Sequence, residues 1–176
     1  MPLSFSPPEP PPPPAEPVTA YLALGSNIGD KNRHLSAAAS AIEGLPGTRI
    51  VARSAIYRTP PWGKVDQDWF ANAVVAIETR LDPEALLQTC LAIEIAHGRI
   101  RRERWGPRVI DIDILFHGEA RLKTGKLTLP HPLMHERPFV LLPLQEIAPE
   151  IVIAGRPIAE VIAGLDTAGL QPVATL

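Results

Sequence analysis

Val109-Ile110-Asp111-Ile112-Asp113-Ile114-Leu115-Phe116 alternates apolar and acidic side chains with a period of two. Successive residues of a strand face opposite sides of a sheet. Ile110, Ile112 and Ile114 therefore share a face suited to packing under helices, and Asp111 and Asp113 share the other. The two acids stand ~6.5–7 Å apart at Cα from the strand rise. Reading outward, Asp82-Pro83-Glu84 has the cap, the N1 proline and the acidic first turn that open a helix, and Gly98 sits where a glycine ends one. Upstream of it, Phe70 to Thr79 and Arg49 to Tyr57 read as strands. Asp30 caps a helix through Glu43, with Leu35, Ala38, Ala39 and Ile42 on one face, and Val18 to Leu24 reads as the first strand. The order β-α-β-β-α-β is the ferredoxin-like split arrangement. It predicts an α+β fold: an antiparallel sheet with helices on one face and the other face open or covered by substrate loops. A short hairpin (Ala120 to Leu122 with Lys126 to Leu129) and helical C-terminal segments are expected to follow.

The flanking composition bounds the function. The chain of 176 residues is 45% hydrophobic, enough for one domain with its own core. A net charge of −2 argues against a general nucleic-acid binder, so any basic site must be local. The single Cys90 rules out an internal disulfide. No apolar run is long enough to span a bilayer and no secretory signal is visible, so a cytoplasmic enzyme, expected to be monomeric, is the default. Residues 1–17 contain nine prolines. This stretch is expected to be a disordered, solvated tail, with the folded domain at 18–176; docking of its PxxP segments is the alternative.

Chemistry concentrates beside the acidic strand. Arg99, Arg101, Arg102, Arg104 and Arg108 fall within ten residues just upstream of Asp111 and Asp113. Alone, an Asp-x-Asp pair reads as a solvated strand face and an arginine run as a basic loop. Together they suit a metal-bound polyphosphate: hard divalent ions take carboxylate and phosphate oxygens, and guanidinium forks bind phosphate. Phe70 and Asn72 share a face of the third strand, near Thr59-Pro60-Pro61-Trp62, and an aromatic beside an amide suits a flat heterocycle. His131, Arg137 and Phe139 follow in a fourth cluster, as phosphate contacts and a second aromatic wall. Gly25-Ser26-Asn27 reads as a tight turn into the first helix. No Walker loop or GxGxxG is present.

These motifs identify the family the chain resembles. LALGSNIGD, YRTPPWG, DQDWFANAV, GRIRRERWGPRVIDIDIL and LPHPLMHERPFVLLPL, in this order, resemble the 6-hydroxymethyl-7,8-dihydropterin pyrophosphokinase family of folate biosynthesis. The resemblance implies transfer of the β,γ-pyrophosphoryl group of ATP to the pterin hydroxymethyl oxygen, with release of AMP. It implies Asp111 and Asp113 as ligands of two Mg²⁺ ions, and Arg99 and Arg108 as catalytic residues that orient the triphosphate. Phe70 and Phe139 would sandwich the pterin, read by Asn72 with Thr59, Pro60 and Trp62. Glu94, Arg101, Arg102, Arg104, Trp105, Ile114, Lys126, Thr128, His131 and Arg137 would belong to the ATP pocket. The loops around Trp62 and from Arg99 to Pro107 are expected to close over ATP. The rivals are a ferredoxin-like RNA-binding module, which the exposed acids argue against, and an adaptor acting through the proline tail.

Overall fold

A computed structural model describes residues 16–61, 66–98 and 109–176. The elements run β1 (Val18–Ser26), α1 (Lys31–Glu43), β2 (Thr48–Arg53), β3 (Ala55–Thr59), β4 (Phe70–Thr79), α2 (Pro83–Ala96) and β5 (Asp111–His117). Both helix starts follow from their caps: Asp30 accepts from Arg33 N–H, and Asp82 accepts from Ala85 N–H with Pro83 at the first helical position. Gly98, at φ +83°, takes the left-handed conformation that ends α2. A β6 (Leu122–Lys123)/β7 (Thr128–Leu129) hairpin comes next. Then come helix α3 (Pro138–Ile147), a β8 (Val152–Ile153)/β9 (Arg156–Pro157) hairpin, short helix α4 (Ile158–Ala163) and β10 (Gln171–Thr175).

The main sheet has the order β10-β3-β4-β1-β5, with β2 also on β4, and every pairing is antiparallel. One face buries Leu22, Leu24, Val75, Ile77, Ile110, Ile112 and Ile114 against Leu35, Ile42 and Leu86 of the helices, as the alternation predicts. The opposite face differs from an open one over part of its area. There, Val140, Leu141 and Leu144 of α3 pack with Ala23, Val74 and Leu115, because α3 carries its own apolar stripe and needs a partner.

Two departures from the expected strands shape the sheet. The predicted strand from Arg49 to Tyr57 is broken at buried Ser54, whose Oγ accepts Val74 N–H at 2.9 Å and donates to Ala55 carbonyl at 2.7 Å. Arg53 faces Val75 but Tyr57 faces Asn72, so one extra residue is accommodated there, as in a bulge. The expected helical C-terminal segments are α3 and α4, and beyond them the chain adds a strand that the pattern does not predict, β10 at the sheet edge. Its Pro172 is tolerated there because an edge strand need not donate on both sides.

Candidate active site

Four strands bring two of the predicted residues, Asp111 and Asn72, into one row. Asp111 on β5 lies opposite Gly25 on β1, Gly25 lies opposite Asn72 on β4, and Asn72 lies opposite Tyr57 on β3. Two strand spacings put Asp111 and Asn72 about 10 Å apart at Cα. The next row pairs Phe70 with Thr59. Asn72 is held rigidly: its Nδ2 donates to Thr59 Oγ1 at 2.7 Å. Gly25 is more than the turn expected from sequence. It is a strand residue, and a Cβ built there would lie 3.0 Å from Asn72 Oδ1. The missing side chain keeps clear the gap between the amide and the acid, and no local sequence pattern marks this role, because it depends on cross-strand register.

Asp111 and Asp113 stand half-exposed on the same face, as the alternation predicts. Buried Arg137 places its Nη1 3.8 Å from Asp113 Oδ2, across the start of α3. Glu94 of α2 is 1% exposed, and its Oε1 accepts the N–H of Ile112 at 2.7 Å. This bond fixes the backbone between the two aspartates. The Cys90 thiol beneath is pushed up to about 12 by burial, then by the charges of Glu94 and Asp113, and is chemically inert at neutral pH.

His131 reaches the same region through a bulge. The β1/β5 register shifts opposite Tyr21 and Leu22, and the Leu115 carbonyl thereby accepts His131 N–H at 2.9 Å. Burial, then the Arg137 charge, push the imidazole down to about 4, against a smaller opposing pull from Asp111. The ring is therefore neutral at pH 7. Its Nδ1 sits 3.1 Å from Leu133 N–H, which assigns the acceptor role to Nδ1 and leaves the ring proton on Nε2 as a donor. Phe139, the second residue of α3, lines a cavity of about 320 Å³ together with Thr59 and Pro60.

Other predicted residues sit differently. Ile114 turns its side chain into the core, 3% exposed, so only its main chain can reach a ligand. Lys126 is exposed and 3.8 Å from Glu84, and Thr128 is half-buried on β7. Trp62, Arg99, Arg101, Arg102, Arg104, Trp105 and Arg108 lie outside the described residues, as do the loops expected to close over ATP. Sequence reading also missed a latch. Lys31, 7% exposed, bonds Asp68 at 2.9 Å and sits 4.2 Å over the Trp69 ring, while Asn27 Nδ2 donates to Gln67 at 3.0 Å. The turn after β1 thus holds the segment that leads into Phe70. Asp68 is kept below the usual carboxylate range, chiefly by its hydrogen bond from Lys31.

Among the described residues no cluster of three or more His, Cys, Asp or Glu side chains could cage a metal. The two half-exposed aspartates nevertheless fit Mg²⁺, a hard ion that typically takes one or two carboxylates and completes its shell with water and phosphate oxygens.

The fold and site define a class of α+β domain: a ferredoxin-like antiparallel sheet that presents two half-exposed carboxylates side by side, in a sequence with neither a Walker loop nor a GxGxxG. Comparison with known proteins identifies the family. The family model of 7,8-dihydro-6-hydroxymethylpterin-pyrophosphokinase (HPPK) matches residues 21–149. The chain is 56% identical over 154 residues to the 2-amino-4-hydroxy-6-hydroxymethyldihydropteridine pyrophosphokinase of Methylorubrum extorquens, covering 88% of this chain and 98% of that one. It is 43% identical over 152 residues to the enzyme of the same name from Pseudomonas aeruginosa, covering 86% and 94%. The fold is similar to that of wild-type Plasmodium falciparum HPPK-DHPS solved with pterin and p-hydroxybenzoate, with a TM-score of 0.66, 18% identity and 84% of this chain covered. This chain spans 43% of the length of that one. The chain belongs to the HPPK family, the family its motifs resemble. It is a pyrophosphokinase of folate biosynthesis that acts on 6-hydroxymethyl-7,8-dihydropterin with ATP as co-substrate.

Proposed function

We propose how this chain's residues carry out the transfer. The pterin lies flat between Phe70 and Phe139, with its edge read by Asn72 and by the groups around Thr59, Pro60 and Trp62. Its hydroxymethyl oxygen then points along the space that Gly25 leaves toward Asp111. Asp111 and Asp113 would hold Mg²⁺, two ions in the fullest form, which supplies charge neutralisation along the triphosphate. Arg137 and the Nε2–H of neutral His131 donate to phosphate oxygens, together with Arg99, Arg108 and the other arginines of that loop. Glu94, Trp105, Lys126, Thr128 and the main chain of Ile114 complete the nucleotide side. The hydroxymethyl oxygen attacks the β-phosphorus, the bond from that phosphorus to the α-phosphate oxygen breaks, and the electron pair leaves on AMP. The hydroxyl proton passes to solvent or to a phosphate oxygen. Such a transfer needs in-line placement and charge stabilisation more than a strong base.

The observation that carries this reading is the row Asp111–Gly25–Asn72, which sets an acid suited to metal and an amide suited to a heterocycle about 10 Å apart across a residue with no side chain. Residues 18–176 act as one domain and residues 1–17 as a tail, and the enzyme works as a cytoplasmic monomer without nucleic-acid partners. Among the described residues no helix is long and apolar enough to cross a membrane. The test is incubation with ATP, Mg²⁺ and the reduced hydroxymethylpterin, with products separated by chromatography. AMP and the pterin diphosphate in equal amounts are expected; stoichiometric ADP would mean attack at the γ-phosphorus and overturn the reading.

A further inference from the structure

The family match ends at residue 149, yet the chain continues through α4 to β10 and returns to the site. The 320 Å³ cavity beside Phe139 is lined by Thr59, Pro60, Glu136 and Pro138, and also by Leu165 and Leu170 of the turn before β10. This volume lies within the usual span for small-molecule pockets. We propose that the turn 165–170 is a positioning wall of the pterin subsite and sets affinity for the flat heterocycle.

The turn is built to hold its shape. Asp166 Oδ1 accepts Ala168 N–H at 2.9 Å, and Leu170 N–H donates to Thr167 carbonyl at 3.2 Å. Gly169, at φ +81°, occupies the third position of that turn, where a left-handed residue is required. It also lies against the strand end: a Cβ there would sit 3.6 Å from both Cγ and Cδ of Pro60. β10 then pairs with β3, Gln171 opposite Arg58 and Pro172 opposite Tyr57. A shift of the turn is therefore transmitted to Pro60 and Thr59. Thr59 holds the Asn72 amide at 2.7 Å, so the shift reaches the group that reads the heterocycle. Asp111, Asp113 and His131 stand on β5 and the loop after β7, remote from this contact in the sheet order, and Arg137, between the cavity-lining Glu136 and Pro138, is directed to Asp113. The turn's direct contact, with Pro60, is on the pterin side.

The inference rests on the pterin lying against Phe139 and Asn72, and the experiment separates the two ideas. Gly169→Val puts a β-branched residue at a positive φ, Leu170→Ala thins the wall without disturbing the turn's backbone, and Leu170→Met restores its bulk. For each full-length variant, kcat and the KM for pterin and for ATP are measured with Mg²⁺ present, alongside the unfolding midpoint. Gly169→Val and Leu170→Ala are expected to raise the pterin KM about 5- to 10-fold, with the ATP KM within about 2-fold of wild type and Leu170→Met near wild type. Should Gly169→Val fold poorly, Leu170→Ala and Leu170→Met decide the matter. An unchanged pterin KM in Leu170→Ala, or an equal rise in both KM values, would overturn the turn's role. An Asn72→Ala control that leaves the pterin KM unchanged would instead refute the placement of the pterin itself.

Discussion

Asp111, Gly25 and His131 each act through a different physical property, and each yields a test. Asp111→Asn keeps shape but removes the charge that would hold Mg²⁺ against the triphosphate. Turnover is expected to fall by roughly 10²–10³-fold with an unchanged circular dichroism spectrum; near-wild-type turnover would remove Asp111 from the metal site. Gly25→Ala places a Cβ 3.0 Å from Asn72 Oδ1, whose amide cannot swing away without losing Thr59. Pterin binding measured by calorimetry is expected to weaken by about 10-fold, equivalent to ~1.4 kcal/mol. His131 carries a sign that can be worked out. Its folded value of about 4 lies below the ordinary 6.5, so the unfolded chain takes up the proton first as pH falls. Above pH 6.5 the group has no effect on stability, and between 6.5 and about 4 it progressively lowers it. Unfolding free energies across this window should fall less steeply in His131→Gln than in wild type.

At the scale of elements, the kink between β2 and β3 matters most. It turns β3 so that Tyr57 and Thr59 come alongside Asn72 and Phe70, and Tyr57 Oη then reaches Glu146 of α3 at 2.8 Å. Burial, and then Glu146, push the Tyr57 phenol up to about 12, so this link stays protonated across the physiological range. Ser54 is the pivot. Ser54→Ala would strand the N–H of buried Val74 without its acceptor, a loss of about 1–3 kcal/mol. Urea unfolding should show the midpoint shift; no shift would mean that the bulge is held by packing alone. Both helices, their caps and the strand containing the aspartates were legible in sequence, because caps and periodicity are local. The break at Ser54 was not, because the run from Arg49 to Tyr57 contains no proline or glycine. Only the pairing with β4 requires the extra residue.

For the whole molecule, the tail and the two-sided sheet give the expectations. Deleting residues 1–16 should leave the melting temperature and both KM values nearly unchanged. Of the first 17 residues nine are proline, and Leu3 and Phe5 are the sizeable apolar side chains. Such a segment has little area to offset its ordering entropy. A large fall in melting temperature would show that it packs on the domain. Helices α1 and α2 cover one face of the sheet and α3 covers part of the other, and the proposed substrate positions lie at the ends of β1, β4 and β5.

The local pattern of the chain determined the acidic strand and its apolar reverse face, the helix starts at Asp30 and Asp82, the order of the β-α-β-β-α-β frame and, through its motifs, the family. Each of these is encoded by residues a few positions apart, within reach of turn geometry, capping and side-chain periodicity. What the tertiary structure alone decided lies between segments far apart in the chain. The register that sets Gly25 between Asp111 and Asn72, the contact of Arg137 with Asp113, the Lys31 hold on Asp68 and the return of β10 beside β3 all depend on which strands pair and how far each is shifted. Register is the sum of long-range packing choices, and no single stretch of sequence carries it.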